Sequence, residues 1–313
     1  MKPGWKRRSV DAVAAFLLRH PFLERGAIAL GHARPRGRAV QALLLALSRQ
    51  AAERSDRFRV VELRGGGRLL IDISDILRDL YLYGRDYEVD STELVVRLLR
   101  PGDEVVDVGA HCGYYSVLMA GLVGAGGRVH AFEPNPALLE LLARSAVLNG
   151  FEQRIVRNAC ACAAEAGRGV PLYVSRQRQN QGLSSLRPHP TLLADGLLSA
   201  DATQPVDTIR LDDYWARHGI ESCALVKIDV ECAEAAVLAG LCGVLGSRPP
   251  KTILCETSPG SDADRMLRGL GFQAYRVGAA AVPEQPWLNI LYAAERDWLS
   301  ARLAAAWGGL TPC

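Results

Sequence analysis

The sequence predicts an α/β fold: a doubly wound, mostly parallel sheet with a small N-terminal extension of helices and a hairpin. Two observations support this prediction. Between residues 103 and 294, short apolar segments of strand type alternate with helix-like stretches. The first of these segments runs directly into a turn containing Gly109 and Gly113, and turns of this kind mark the ligand-binding edge of α/β sheets.

Three regions follow from these patterns: an extension at 1–89, the α/β domain at 90–300 and a tail at 301–313. Residues 1–50 are rich in Ala, Leu and Arg and read as helical, with a break between Gly31 and Gly37. The glycine-rich segment 64–67 then separates two strand-like runs, 58–63 and 68–73, which predicts a β-hairpin.

The α/β domain is predicted to open with a helix at Asp90, where Glu93 would complete an acidic capping box, and this helix would stop before Pro101. The segment 175–205 lacks periodicity and is interpreted as a lid or substrate loop, with plain disorder as the alternative. The predicted strands are 103–109, 128–133, 154–160, 224–230, 251–256, 273–277 and 289–294, and the predicted helices are 114–123, 136–148, 233–245 and 262–270.

Composition narrows the class of protein. No apolar run approaches the roughly 20 residues of a membrane-spanning helix. The eight cysteines lack zinc-site spacing and read as reduced core residues, which predicts a cytoplasmic location. Residues 1–50 carry ten Lys and Arg against only Asp11 and Glu24, so this region is strongly basic.

The turn after the first strand indicates the ligand. Gly109 allows a tight turn, Gly113 lets backbone approach a ligand, and Asp107 supplies an acceptor. The spacing G-x-x-x-G differs from the dinucleotide pattern G-x-G-x-x-G, which argues against a pyrophosphate. Glu133, at the end of the next strand, is placed to accept the hydroxyls of a ribose. Together these residues predict a nucleoside without phosphates, and S-adenosylmethionine fits.

Charged residues also stand at the ends of the fourth and fifth core strands. Lys227, Asp229 and Glu231 alternate in an apolar run and are predicted to share one face, with Asp229 and Glu231 lining the reaction site and Lys227 as their ion partner. A purely structural Lys/Asp pair is the alternative. Glu256 is expected to face the acceptor, and His111 is a candidate base or a hydrogen-bonding turn residue.

Several segments resemble one family, the FkbM-type methyltransferases, and the resemblance runs from about residue 68 to residue 294. The matching segments are 82–84, 87–88, 107–116, 131–136, 148–150, 184–186, 211–213 and 226–231.

The resemblance implies a Rossmann-like class I methyltransferase fold with an antiparallel last strand, and methyl transfer from S-adenosylmethionine to a hydroxyl of a sugar, glycolipid or polyketide-like molecule. Two positions depart from the family pattern: His111 replaces Asn, and Cys232 replaces Gly. No metal-ligand cluster is predicted, so we expect metal independence. The cofactor is assigned to Asp107, Gly109, Ala110, Gly113, Glu133, Pro134, Asn135, Asn158 and Asp229, and the chemistry to Lys227, Asp229, Glu231, Glu256 and His111.

Alternatives remain at this stage. An NAD-dependent oxidoreductase would also use Glu133, although the missing middle glycine argues against it. An RNA methyltransferase could use the basic N-terminal region, but no aromatic-rich basic stretch supports nucleic acid as a partner. A hydroxylated small molecule is therefore the expected partner, peripheral membrane contact through the basic region is left open, and no oligomeric state is predicted.

Overall fold

The computed structural model describes residues 3–33, 37–52, 54, 56–175, 181–187, 190–198, 203–278, 287–303 and 309–313. The chain forms two compact units. The smaller consists mainly of Met1–Val61 and Leu70–Tyr87, and the larger of Glu88–Arg176, Gly182–Cys313 and Glu62–Leu69. Within the described ranges, no helix has the length and apolar character that crossing a membrane requires.

The smaller unit is mainly helical and carries most of the predicted hairpin. Its helices α2 and α3 are separated at the predicted break, because α2 ends at Ala33 and α3 begins at Arg38. Leu44, Leu47 and Leu82 are fully buried in its core. The elements to this point are α1 (Pro3–Leu17), α2 (Pro21–Ala33), α3 (Arg38–Ala51), β1 (Phe58–Glu62), β2 (Arg68–Asp72) and α4 (Arg78–Tyr83).

The larger unit contains the alternating elements. Its strands are β3 (Glu104–Val108), β4 (Arg128–Phe132), β5 (Ile155–Asn158), β6 (Ala161–Cys162), β7 (Gly167–Tyr173), β8 (Thr203–Ile209), β9 (Leu225–Ile228), β10 (Thr252–Thr257), β11 (Gln273–Val277), β12 (Leu288–Ala293) and β13 (Leu310–Pro312). Its helices are α5 (Val89–Leu98), α6 (Tyr114–Val123), α7 (Pro136–Asn149), α8 (Pro190–Ala194), α9 (Leu211–His218), α10 (Glu234–Ala239), α11 (Cys242–Ser247), α12 (Asp262–Gly269) and α13 (Arg296–Leu303), with a 3₁₀ turn at Gln181–Leu183.

Eight strands form one sheet in the order β13-β11-β12-β10-β9-β3-β4-β5. β5, β4, β3, β9 and β10 are parallel, whereas β12 is antiparallel to both of its neighbours. The predicted fold class is confirmed. The chain leaves β3 toward β4 and later returns to β9 on the other side of β3, so the strand order switches there, which places a ligand site at the carboxyl ends of β3, β4 and β9.

The predicted capping box at Asp90 is wrong. Helix α5 begins one residue earlier, at Val89, and Glu88 precedes it in a left-handed conformation with φ 43°. Glu93 therefore lies within the helix, where it binds Arg64 and Arg97.

Two further predictions need correction. The helix predicted at 233–245 is divided into α10 and α11, which are separated by Gly240 and Leu241. Glycine is required at the junction, since a Cβ atom at Gly240 would lie 2.1 Å from the carbonyl oxygen of Ala163. The sequence also gave no sign of the three-stranded sheet in the order β6-β8-β7. Since β8 begins at Thr203, the end of the segment 175–205 is a strand, and residues 176–180, 188–189 and 199–202 of that segment lie outside the described residues.

Candidate active site

The turn between β3 and α6 depends on two glycines. Gly109 and Gly113 have φ values of 82° and 96°, which L side chains rarely adopt. A Cβ at Gly109 would lie 1.8 Å from the carbonyl oxygen of Asp229, and one at Gly113 would lie 2.4 Å from Cδ1 of Leu142. The glycines are therefore required by close packing within the protein, a reason that the spacing alone did not indicate. The amides of Gly109 and Ala110 both donate to the carbonyl of Phe132 at 3.0 Å.

Asp107 lies below this turn and is 1% exposed. Its Oδ2 accepts a hydrogen bond of 2.6 Å from the hydroxyl of Ser116. Its Oδ1 is buried and has no hydrogen-bond partner among the residues that the structure describes. Burial raises the pKa of Asp107, and the charge of Lys227 opposes that rise. A buried acceptor without a donor is uncommon, and here it fits a cofactor that brings its own donor.

Glu133 follows β4 and faces the same turn. Its Oε2 accepts from the amide of His111 at 2.9 Å, and its Oε1 accepts from the amide of Asn135 at 2.7 Å. Burial raises the pKa of Glu133 to about 7, against the lowering effect of these two amides. Helix α7 is capped by Asn135, which accepts from the amide of Ala137 at 3.0 Å. Glu133 thus connects the turn between β3 and α6 with the start of α7, and it does not cap the helix itself.

Three further residues predicted to bind the cofactor, Pro134, Asn135 and Asn158, lie next to Glu133 in the sequence or in the sheet. Pro134 lies between Glu133 and the N-cap residue Asn135. Asn158 ends β5, and its carbonyl accepts from the amide of Glu133 at 3.1 Å. The side-chain amide of Asn158 donates to the carbonyl of Ala131 at 3.1 Å. These contacts secure the strand end that carries the Glu133 carboxylate.

Lys227, which is buried, and Asp229, which is half-buried, form an ion pair at the end of β9. Nζ of Lys227 donates to Oδ2 of Asp229 at 2.8 Å, and the Lys227 side chain is only 3% exposed. Burial by itself would lower the pKa of Lys227, but the carboxylates of Asp229, Glu88 and Asp107 outweigh burial and raise it. Burial would likewise raise the pKa of Asp229, but Lys227 lowers it below its ordinary value. The predicted pairing of Lys227 with Asp229 is therefore present.

Three carboxyl groups come together beside this pair. Asp229, Glu231 and Glu256 each offer an oxygen atom, and these atoms lie within 4.8 Å of one another. Burial, followed by the charge of Asp229, raises the pKa of Glu231 to about 7 and that of Glu256 to about 9. Glu256 is therefore protonated at neutral pH and can share its proton with Asp229. These three carboxyl oxygens are close enough to bind a cation. The expectation that the protein needs no metal therefore stays a prediction.

The alternation predicted for Lys227, Asp229 and Glu231 within one strand is wrong. Strand β9 ends at Ile228, and Glu231 and Cys232 adopt φ values of 51° and 72°. The left-handed backbone, not strand alternation, brings the Glu231 carboxyl toward Asp229.

The turn at Glu231 and Cys232 is stabilised by hydrogen bonds from Ser185, a residue distant in the sequence. The Ser185 hydroxyl donates to the carbonyls of Val230 and Glu231. The positive φ of Cys232 explains why glycine suits this position, since a Cβ in this conformation is strained. His111 also has a positive φ, 53°, where Asn is favoured and His is tolerated.

Sequence reasoning missed three residues of the buried charge network. The hydroxyl of Tyr115 donates to Oε2 of Glu88 at 2.8 Å, and Nζ of Lys227 lies 4.6 Å from the centre of the Tyr115 ring. Glu88 also interacts with the side chain of Asn289. Burial raises the pKa of Glu88, and Lys227 opposes the rise. Glu88 and Tyr115 lie in segments that resemble the family, but no spacing rule joins positions 27 residues apart.

A doubly wound sheet with an inserted antiparallel strand is the architecture of the class I methyltransferase fold, and here acidic residues stand at the ends of the neighbouring strands β3, β4 and β9. A family model described as the methyltransferase FkbM domain matches residues 107–277, more than half of the chain, and the chain belongs to this family. The resemblance and the prediction of a methyltransferase are confirmed. The assignment also removes the oxidoreductase alternative.

Known relatives cover part of the chain. The 31-O-demethyl-FK506 methyltransferase FkbM of Streptomyces tacrolimicus is 35% identical over 161 residues, which are 46% of this chain and 61% of that protein. Methyltransferase sdnD of Sordaria araneosa is 26% identical over 155 residues, 44% of this chain and 60% of that protein. The chain thus spans about three fifths of these curated relatives. The crystal structure of methyltransferase FkbM from Methylobacillus flagellatus KT matches with 15% identity and a TM-score of 0.40, covering 90% of this chain and 60% of that chain.

Proposed function

We propose that this protein transfers a methyl group from S-adenosylmethionine to a hydroxyl of a small molecule, such as a sugar, a glycolipid or a polyketide-like compound. The observation that carries the proposal is the close approach of Gly109 to the carbonyl of Asp229, where even a Cβ atom would not fit. Because of this contact, the turn assigned to the cofactor adjoins the carboxyl groups assigned to the acceptor. Donor and acceptor could therefore meet at the carboxyl edge of β3 and β9.

The chain offers two acidic groups to the cofactor. S-adenosylmethionine, when bound, supplies a methyl group activated by its positive sulfur. Asp107 would accept a hydrogen bond through its unpaired Oδ1, and Glu133 would accept further hydrogen bonds through a carboxyl group already oriented by two backbone amides. Both carboxyl groups are buried, so each would strengthen an interaction with a polar or positive ligand group.

Glu231 is the group best suited to act as the base. Its pKa of about 7 leaves a useful fraction ionised at neutral pH, and it stands beside Asp229 at the acceptor side. Glu231 would accept the proton of the acceptor hydroxyl, and the bound cofactor would supply the methyl group that the hydroxyl oxygen takes up. Lys227 lowers the pKa of Asp229 and so favours its ionised form. We further propose a cytoplasmic location, because none of the eight cysteines, all of which the structure describes, forms a disulfide.

The test has two parts, binding and turnover. We expect calorimetry to show binding of S-adenosylmethionine and its demethylated product, weakened at least about tenfold by Asp107→Ala and by Glu133→Ala. Asp229→Ala is expected to reduce turnover more than binding. Glu140→Ala, at an exposed position of α7, is the matched control and should change neither.

Turnover is measured as the acceptor-dependent release of demethylated cofactor across a panel of sugars, glycolipids and polyketide-like alcohols. Unchanged cofactor affinity in both Asp107→Ala and Glu133→Ala would remove the assignment of the cofactor site. Methyl transfer to RNA with none to the small hydroxylated acceptors would contradict the proposed substrate class.

A further inference from the structure

The outward side of helix α2 has an unusual composition for a surface helix. Phe22 is 86% exposed, and Leu23 and Leu30 are 44% and 43% exposed. Gly26 and Ala29 lie on the same exposed side. A helix at a protein surface normally turns its apolar side inward and its polar side outward. Here most of the outward-facing residues are apolar or small, which is typical of a surface that another molecule covers.

The preceding helix extends this surface. Val13 and Phe16, one helical turn apart near the end of α1, are 49% and 52% exposed. The ring of Phe16 lies 4.1 Å from the ring of His20 in the short connection to α2. We call Val13, Phe16, Phe22, Leu23 and Leu30 the α1–α2 apolar surface.

The acidic side chains of this region are paired with arginines of the smaller unit. Glu24 is only 3% exposed, since both of its oxygens accept hydrogen bonds of 2.9 Å from Arg59 and one also accepts from Tyr81. Asp11 is paired with Arg49 at 2.8 Å. The two acids of residues 1–50 are thus neutralised within the smaller unit.

Basic side chains remain at the surface. Arg19 and Arg25 are exposed, and neither has an ion-pair partner in the described part of the chain. Arg25 and the apolar residues Phe22 and Leu30 share the same helix. A membrane surface has acyl chains beneath a layer of phosphate groups. The exposed aromatic and aliphatic side chains would suit the acyl chains, and the neighbouring guanidinium groups would suit the phosphates.

We propose that the α1–α2 apolar surface docks on an anionic lipid membrane, with the aromatic residues entering the interface and Arg19 and Arg25 contacting lipid phosphates. A second copy of this chain fits less well, because a symmetric contact through this surface would bring like arginines together. RNA would be attracted by the arginines but gains little from the exposed aliphatic side chains, and its backbone contacts are mainly ionic.

Sedimentation with vesicles tests the proposal on the full chain. We expect the protein to pellet with vesicles of phosphatidylcholine and phosphatidylglycerol, much less with phosphatidylcholine alone, and less at high salt. The variants Phe16→Ser with Phe22→Ser, and Arg19→Gln with Arg25→Gln, should each reduce the bound fraction at least about fivefold. The matched control combines Arg144→Gln and Val147→Ser, which are exposed residues of α7, and should bind as the unmodified chain does.

Thermal unfolding of every variant shows whether the fold is kept. If the phenylalanine variant does not fold, the arginine variant still tests the proposal, because it leaves the apolar side chains unchanged. Equal losses in the α7 control, or no binding to anionic vesicles, would overturn the proposal. A dimer in light scattering that Phe22→Ser dissociates, without vesicle binding, would identify a second copy as the occupant. Salt-dependent RNA binding without vesicle binding would identify RNA.

Discussion

The ammonium group of Lys227 donates a hydrogen bond of 2.8 Å to the carboxylate of Asp229 at the end of the central strand β9. The lysine side chain is almost fully buried, and the Tyr115 ring lies beneath its nitrogen. A charge in such a place is tolerated only when it is paired. The pair also sets the chemistry of its surroundings, because Lys227 lowers the pKa of Asp229, and the ionised Asp229 raises the pKa values of Glu231 and Glu256.

Removing the lysine charge should therefore destabilise the protein strongly. We expect Lys227→Met to lower the free energy of unfolding by about 3–5 kcal/mol, because the buried carboxyl of Asp107 and the half-buried carboxylate of Asp229 would lose the positive charge that they face. Urea unfolding followed by circular dichroism measures the change. The control is Lys251→Met, which breaks the more exposed pair with Glu295 and should cost at most about 1 kcal/mol. Similar losses in the two variants would contradict a special role for the buried pair.

The pH profile of the reaction should identify the base. If Glu231 accepts the proton, turnover rises with pH as this carboxyl ionises near pH 7 and then reaches a plateau. Glu231→Gln should lower turnover by about 10²–10⁴-fold and remove the rising limb.

His111→Ala provides the comparison, because His111 is the other candidate base. A rising limb that survives in Glu231→Gln and disappears in His111→Ala would assign the base to the histidine. Initial rates at saturating acceptor from pH 5 to pH 9 distinguish the two.

The conformation of Cys232 predicts a stabilising substitution. Its φ of 72° places Cβ in a strained position, which glycine avoids. We expect Cys232→Gly to raise the free energy of unfolding by up to about 1 kcal/mol, since the relief of strain exceeds the added flexibility of the unfolded chain. Cys232→Ala keeps Cβ and should give no such gain. Equal effects of the two substitutions in urea unfolding would show that backbone strain is not stored at this position.

Removal of divalent cations tests the expected metal independence. The carboxyl groups of Asp229, Glu231 and Glu256 are close enough to bind a cation, but Lys227 already neutralises part of their charge, and Glu256 is protonated at neutral pH. We expect the initial rate of methyl transfer to be unchanged after dialysis against EDTA. Loss of activity that Mg²⁺ restores would show that the three carboxyl groups form a metal site.

Local patterns in the sequence were sufficient for the alternating strands and helices of the large sheet and for the acidic residues at strand ends, but not for the separate sheet β6-β8-β7. Alternation with periods of 2 and 3.6 is a property of neighbouring residues, so β3, β4, α6 and α7 could be predicted with nearly the right bounds. The glycines of the turn between β3 and α6 were recognisable for the same reason. The capping box at Asp90 failed because α5 begins at Val89, one residue before Asp90, after Glu88 in a left-handed conformation.

By itself, the sequence determined the family, the alternating α/β fold and the positions of Asp107, Glu133 and Asp229 at strand ends, because these depend on residue types at short spacings. Only the tertiary structure decided which charges are buried and paired, that Gly109 adjoins the Asp229 carbonyl, and that α2 exposes an apolar side while Glu24 turns inward. Burial depends on what packs against a residue from elsewhere in the chain. The pKa values and exposed surfaces that carry the functional proposals follow from those long-range contacts.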